Sequence, residues 1–164
     1  MQTCFYEQEE KTQFKVLQGA RKVMYEYKCK VLRVVDGDTV DVDIDLGFGV
    51  WLHKQRVRLY GVDTPESRTR DKVEKEYGNI AKQYVIDYLP LGSLQVLKTQ
   101  IDKQRGKFGR ILGEFLINDT TINQMLIDNH LAVKYQGQSK DDIEMEHIAN
   151  RARVIVDDYE NSSV

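Results

Sequence analysis

Between Tyr25 and Val62, apolar residues recur at every second position in three short runs separated by glycine-bearing turns. A period of two puts alternate side chains on opposite faces, so each run reads as a half-buried strand and not as a helix. The first run, Tyr25–Val34, alternates Tyr25, Tyr27, Cys29 and Val31 with polar neighbours. Asp36-Gly37-Asp38 is a turn signal. Val40, Val42, Ile44 and Leu46 then alternate with Asp41, Asp43 and Asp45 in a second strand, Gly47-Phe48-Gly49 turns the chain, and Val50–Val62 is a third strand region.

The pattern then changes. Ser67–Glu76 is polar apart from Val73 and reads as an exposed, mobile loop. A helix is expected from near Tyr77–Asn79, with Ile80, Ala81, Tyr84, Val85 and Tyr88 as its apolar stripe and Pro90 ending it. Leu94–Gln100 and Arg110–Ile117 read as strands around the basic stretch DKQRGKFGR. Asn118–Thr120 is expected to cap a second helix with Ile122, Met125 and Leu126 inward. Ser139 with Asp142 opens a last helix whose stripe is Ile143, His147 or Ile148, Ala152, Ile155 and Val156. Three strands, a helix, two strands and two helices is the order of an α+β, five-stranded OB-fold barrel with about three helices. The domain is expected over 24–157, after a polar leader over 1–23 and before a loose tail over 158–164.

At 164 residues and 41% hydrophobic content the chain supports one domain with a real core. No apolar run approaches the roughly 20 residues of a membrane helix, so no membrane partner is expected. The opening MQTCFYEQEEK has no apolar signal core. A cytoplasmic location is therefore expected, a virus-encoded protein acting in a host cell being one such setting. Cys4 and Cys29 form no metal-ligand pair. The net charge of −2 is unevenly spread: Lys98, Lys103, Arg105, Lys107 and Arg110 face one acid, Asp102, whereas Lys140–Glu160 is strongly acidic. A local basic patch can meet phosphates on an acidic chain.

The residues with chemical potential sit at strand ends. Asp38 follows a tight glycine turn and Asp63 closes a strand; two such carboxylates meeting at a barrel rim repel, and a cation between them resolves the repulsion. Carboxylates with backbone carbonyls suit a hard ion such as Ca²⁺ or Mg²⁺. Glu66, three residues on, is positioned to reach a water beside that ion as a general base. Arg58 and Arg110 offer planar forks for phosphate oxygens, and Lys107 adds a point charge. The aspartates of the second strand fail the EF-hand pattern, with Leu46 where glycine is required and Leu52 at the twelfth position, and read as a solvated face. His53, His130 and His147 are scattered and read as surface or partly buried residues, not ligands. Taken singly, each stretch is explained by turn chemistry.

Taken together, VVDGDTV at 34–40, RLYGVDTPE at 58–66 and KFGRILGEF at 107–115 resemble, in order and approximate spacing, the three signature blocks of the staphylococcal nuclease (thermonuclease) family. The resemblance spans about Tyr25 to Asp157. It implies an OB-type barrel and a Ca²⁺-dependent endonuclease, a phosphodiesterase acting on DNA and RNA and leaving 3′-phosphates. By position it implies metal ligation by Asp38, Asp63 and the Thr64 carbonyl. It makes Glu66 the general base, Arg58 and Arg110 the phosphate-binding arginines and Asp36 an acid near the ion. Lys107, Phe108 and Tyr135 become nucleotide contacts. Phe108 stands where the best-known members carry Tyr, which removes a phenolic hydrogen bond and keeps a ring for base stacking. The LGFGVWLHKQ insert lengthens the hairpin between strands two and three. A monomer acting on single-stranded or frayed nucleic acid is expected. The rival reading is a silent OB-fold module that binds nucleic acid or protein without cutting.

Overall fold

The computed structural model of the chain describes residues 25–100 and 110–154. The leader, Lys107, Phe108 and the tail lie outside them. β1 (Tyr25–Asp36), β2 (Thr39–Asp45) and β3 (Trp51–Leu59) follow one another antiparallel, and β5 (Leu94–Thr99) pairs with the other edge of β1. β6 (Ile111–Ile117) pairs antiparallel with β5 and parallel with β3, which closes five strands into a barrel. β1 serves two neighbours because it is long and bent. Tyr25–Lys30 meets β5 and Cys29–Asp36 meets β2, with register shifts between Val31 and Arg33 and between Val34 and Asp36. Such bulges raise local twist, which closure needs.

The alternation seen in sequence points inward as expected. Val31, Val40, Val42, Val57, Leu59, Leu97 and Phe115 are buried inside the barrel. Fully burying one such side chain contributes about 1.5–3 kcal/mol. Cys29 shares this core, where burial pushes its thiol up to about 12 and leaves it unreactive. Among the described residues three helices cover the barrel: α1 (Lys72–Tyr88), α2 (Ile122–Asp128) and α3 (Lys140–Arg151). α1 buries Ile80, Ala81 and Val85, α2 buries Ile122 and Leu126, and α3 buries Ile143. Among the described residues, no helix is long and apolar enough to cross a membrane.

Several boundaries differ from the sequence reading. The expected loop Ser67–Glu76 in fact contains the first turn of α1. Asp71 caps that turn, its carboxylate accepting from the amides of Val73 at 2.9 Å and Glu74 at 3.2 Å. Lys72, Val73 and Lys75 of this turn are exposed, so it carries no apolar stripe. α2 is capped by Thr121, not within Asn118–Thr120; Asn118 takes a positive φ of 52° in the turn before it. α3 is capped by Ser139 as expected; of the alternatives His147 and Ile148 it is His147 that turns inward while Ile148 is exposed, Ala152 follows the last turn, and Ile155 and Val156 lie outside the described residues. The third strand region divides at Gly61 into β3 and β4 (Val62–Asp63). β4 pairs with β8 (Val133–Lys134), and the equally short β7 (Thr120–Thr121) pairs with β6.

Candidate active site

Strand pairing brings the two aspartates together. Asp38 directly precedes β2, its backbone carbonyl accepting from the Leu59 amide at 2.8 Å. Asp63 ends β4, where its pairing with Val133 of β8 fixes the turn. Gly37 lets the turn before Asp38 pack against Thr64, the residue after Asp63: a Cβ there would lie 2.8 Å from Thr64 Oγ1 and 3.0 Å from the Ala81 Cβ. Asp38 is 8% exposed. Its Oδ1 accepts from the Thr39 hydroxyl at 2.9 Å and its Oδ2 from the Thr64 amide at 3.3 Å.

Both carboxylates converge on one guanidinium. Arg58 lies on β3, opposite Thr39 of β2 and Leu112 of β6. Its Nη1 contacts Asp38 Oδ2, and its Nη2 donates to Asp63 Oδ1 at 2.9 Å. Burial pushes the Arg58 guanidinium below its ordinary value, Asp63 opposes that, and the charge of Arg110 adds to the depression. Asp63 is held on its other oxygen by His147 of α3, with Nε2 3.0 Å from Oδ2. Burial raises the Asp63 carboxyl, but the His147 bond and the Arg58 charge outweigh it and hold Asp63 below the usual carboxylate range.

Glu66 belongs to a different support. It follows Pro65, and its peptide lies directly under α1: a Cβ on Gly78 would sit 2.7 Å from the Glu66 carbonyl carbon and 2.7 Å from the Ser67 nitrogen. Its Oε1 accepts from the Arg68 amide at 3.3 Å. The hydrogen bond it shares with Asp36 pushes its carboxyl up, burial adds to this, and the Asp36 charge acts in the same direction. Asp36 also accepts from the amides of Gly37 at 3.0 Å and Ser67 at 3.4 Å.

These groups open onto one cleft of about 650 Å³. Asp38, Arg58, Asp63, Thr64 and Glu66 line it together with Arg110 and the exposed Tyr135, whose amide donates to the Gly61 carbonyl at 2.9 Å. Asp36 stands behind Glu66. The structure thus gathers every sequence-predicted site residue except Lys107 and Phe108, which lie outside the described residues. His147 is the residue the sequence reading missed: it belongs to the cleft wall and bonds Asp63, not merely to the inward stripe of the last helix. Its link to Asp63 spans 84 residues, so no local spacing announces it. His53 and His130 stay outside the cleft.

The donor set fits a hard divalent cation. Asp38 and Asp63 bring carboxylate oxygens, which suit such an ion, to one cationic group, and the nearby nitrogen, His147 Nε2, is engaged with Asp63 Oδ2 at 3.0 Å. Among the described residues no three His, Cys, Asp or Glu side chains form a metal cluster, so such an ion would take its remaining ligands from backbone, water or substrate.

Comparison with known proteins reaches the same region. The profile of the staphylococcal nuclease homologue family matches residues 56–155. The chain is 32% identical over 108 residues to a thermonuclease of Staphylococcus hyicus, covering 65% of this chain and 59% of that one. It is 33% identical over 103 residues to a thermonuclease of Staphylococcus intermedius, covering 62% and 56%. The endonuclease YncB of Bacillus subtilis is 31% identical over 102 residues, covering 61% and 44%. The chain thus spans roughly half the length of these curated relatives.

Proposed function

The chain belongs to the staphylococcal nuclease homologue family, and from that premise we propose that it is an endonuclease that hydrolyses phosphodiester bonds of DNA and RNA with the help of a divalent cation, Ca²⁺ first. The observation that carries this reading is the convergence of Asp38 and Asp63 on Arg58 in a cleft that also holds Glu66 and Arg110. Asp38, Asp63 and the Thr64 carbonyl would hold the ion, which supplies Lewis-acid charge at a non-bridging phosphate oxygen.

The other steps fall to the chain's own side chains. Glu66 accepts a proton from the attacking water; its raised carboxyl makes it a stronger base once ionised. The water oxygen forms a bond to phosphorus, the bond from phosphorus to the 5′-oxygen breaks, that oxygen takes up a proton from solvent and leaves as a 5′-hydroxyl, and a 3′-phosphate remains. Arg58 and Arg110 donate fixed hydrogen bonds to the charge that builds on the phosphoryl oxygens, an effect worth about 10²–10³ in rate per donor. Tyr135 at the cleft edge, with Lys107 and Phe108, forms the nucleotide-contacting group.

The test is cleavage of single-stranded DNA and of RNA with Ca²⁺, with Mg²⁺ and with chelator, reading the chemistry of the product ends. Calcium-dependent cutting that leaves 3′-phosphates is the expected result. Tight binding without cutting at any ion concentration would replace this reading with that of a binding module.

A further inference from the structure

A second concavity, of about 870 Å³, lies over the outer face of β1, β2 and β3, and none of the residues assigned above explains it. Among the described residues, Arg33, Arg56 and Lys54 line it against a single acid, Asp41. It adjoins the catalytic cleft, because Thr39 and Arg110 line both.

The basic side chains are held in a fixed arrangement. Arg33, Asp41 and Arg56 are direct cross-strand neighbours on β1, β2 and β3. The Asp41 carboxylate accepts from Arg33 Nε at 2.9 Å, and from Arg56 Nε at 2.8 Å and Nη2 at 3.0 Å. One acid therefore orients two guanidiniums, whose side chains remain 62% and 46% exposed. Arg56 holds Asp41 below the usual carboxylate range, which keeps the acid ionised in this role. A bulge completes the set: β3 passes from Gln55, opposite Val42, to Leu52, opposite Ile44, so His53 and Lys54 share the space facing Asp43. The Lys54 amide donates to Asp43 Oδ1 at 2.8 Å, and Lys54 takes a φ of 53°. Bulges beside active sites commonly re-aim a side chain, and here Lys54 joins Arg56 along the groove.

Arg56 stands two residues before Arg58, on the same face of β3. At ~3.3 Å per strand residue their backbones are about 7 Å apart, comparable with the step between phosphates of an extended strand. A strand whose scissile phosphate sits between Arg58 and Arg110 would therefore carry its next phosphates past Arg56 and Arg33. We propose that this groove is a phosphate track that binds the substrate strand beyond the cleavage point, through the guanidinium pair ordered by Asp41. The proposal rests on the nuclease reading only for what the strand is bound for; phosphate binding itself needs no cleavage.

The experiment is fluorescence anisotropy of a fluorescein-labelled 20-nucleotide single-stranded DNA, with chelator present, across a salt series. Wild type is compared with Arg33→Gln/Arg56→Gln and with a charge-matched control, Lys28→Gln/Lys30→Gln, on β1 outside the groove. Thermal melting checks that all three fold. Removing two phosphate contacts should reduce the slope of log Kd against log salt by about 1.4 and weaken binding roughly tenfold at low salt, with little change in the control. An unchanged slope in the arginine variant, an equal change in the control, or no binding by wild type would overturn the track. Wild type that binds with the expected slope loss in the variant but cuts with no ion would leave the track standing and remove the nuclease reading. Wild type that cuts while the arginine variant keeps its slope would do the reverse.

Discussion

Replacing Gly78 by Ala isolates the support of Glu66, the proposed general base. In an exposed helix interior this change gains about 1 kcal/mol of helix propensity. Gly78 is not exposed: the added Cβ would lie 2.7 Å from the Glu66 carbonyl carbon and Ser67 nitrogen and 2.8 Å from the Glu66 oxygen. Ordinary contact begins at 3.4 Å, so α1 and the Glu66–Ser67 peptide must part by up to 0.7 Å. Backbone on one side and a helix on the other leave no flexible group to give way. Overpacking of this kind costs about 1–3 kcal/mol, so the net effect on stability is a loss of about 0–2 kcal/mol. The larger effect falls on rate. A misplacement of 1 Å can cost about 10²-fold, so a shift of up to 0.7 Å should lower kcat by up to about 25-fold. Urea unfolding gives the stability change and saturating single-stranded DNA gives kcat; Asn79→Ala, on the exposed face beside it, is the control. A Gly78→Ala protein with wild-type kcat would refute the claim that helix packing positions Glu66.

Asp36→Asn removes the acid that shares a hydrogen bond with Glu66. Because that bond pushes Glu66 up, activity is lost as pH falls through a raised value, and the variant's acidic limb in kcat against pH should move to lower pH. His147→Ala frees one oxygen of Asp63 and should weaken Ca²⁺ binding about 10–100-fold by calorimetry without substrate, with partial recovery in His147→Gln; wild-type affinity in the Ala variant would exclude a positioning role. Glu66→Ala and Arg110→Ala should each lose most activity, about 10²–10³-fold for the arginine, with unchanged circular dichroism. Near wild-type rates in either would remove its role.

The barrel was legible because its strands are half-buried and period-two patterning is the direct consequence of having one wet face. Val40, Val42 and Ile44 point inward and Asp41, Asp43 and Asp45 outward, as the alternation requires. β4, β7 and β8 were not legible: two residues cannot display a period. The start of α1 was hidden for a different reason. Its first turn has no core to face, so only the cap could announce it, and the sequence does carry one in Asp71 followed by Glu74. In the site, Asp38, Arg58, Asp63 and Glu66 were visible from their blocks. The dependence of Glu66 on Gly78 and of Asp63 on His147 exists only after helices dock on the barrel.

The cleft's charge explains why strand-end acids and arginines belong together. Asp38, Asp63, Glu66, Asp71, Glu74 and Glu144 line it against Arg58, Arg110, Lys140 and Arg151. Among the described residues, six carboxylates against four basic side chains leave a surplus of two negative charges if all are ionised. A phosphodiester would add a further negative charge to a half-buried site that already resists one. Arg58 cannot cancel this alone, because its guanidinium is already committed to two aspartates and is itself depressed by burial. The divalent cation proposed for Asp38 and Asp63 would balance that surplus and release Arg58 from part of its commitment to them. Phosphate affinity and cation affinity should therefore rise together in this protein, each lowering the electrostatic cost of the other.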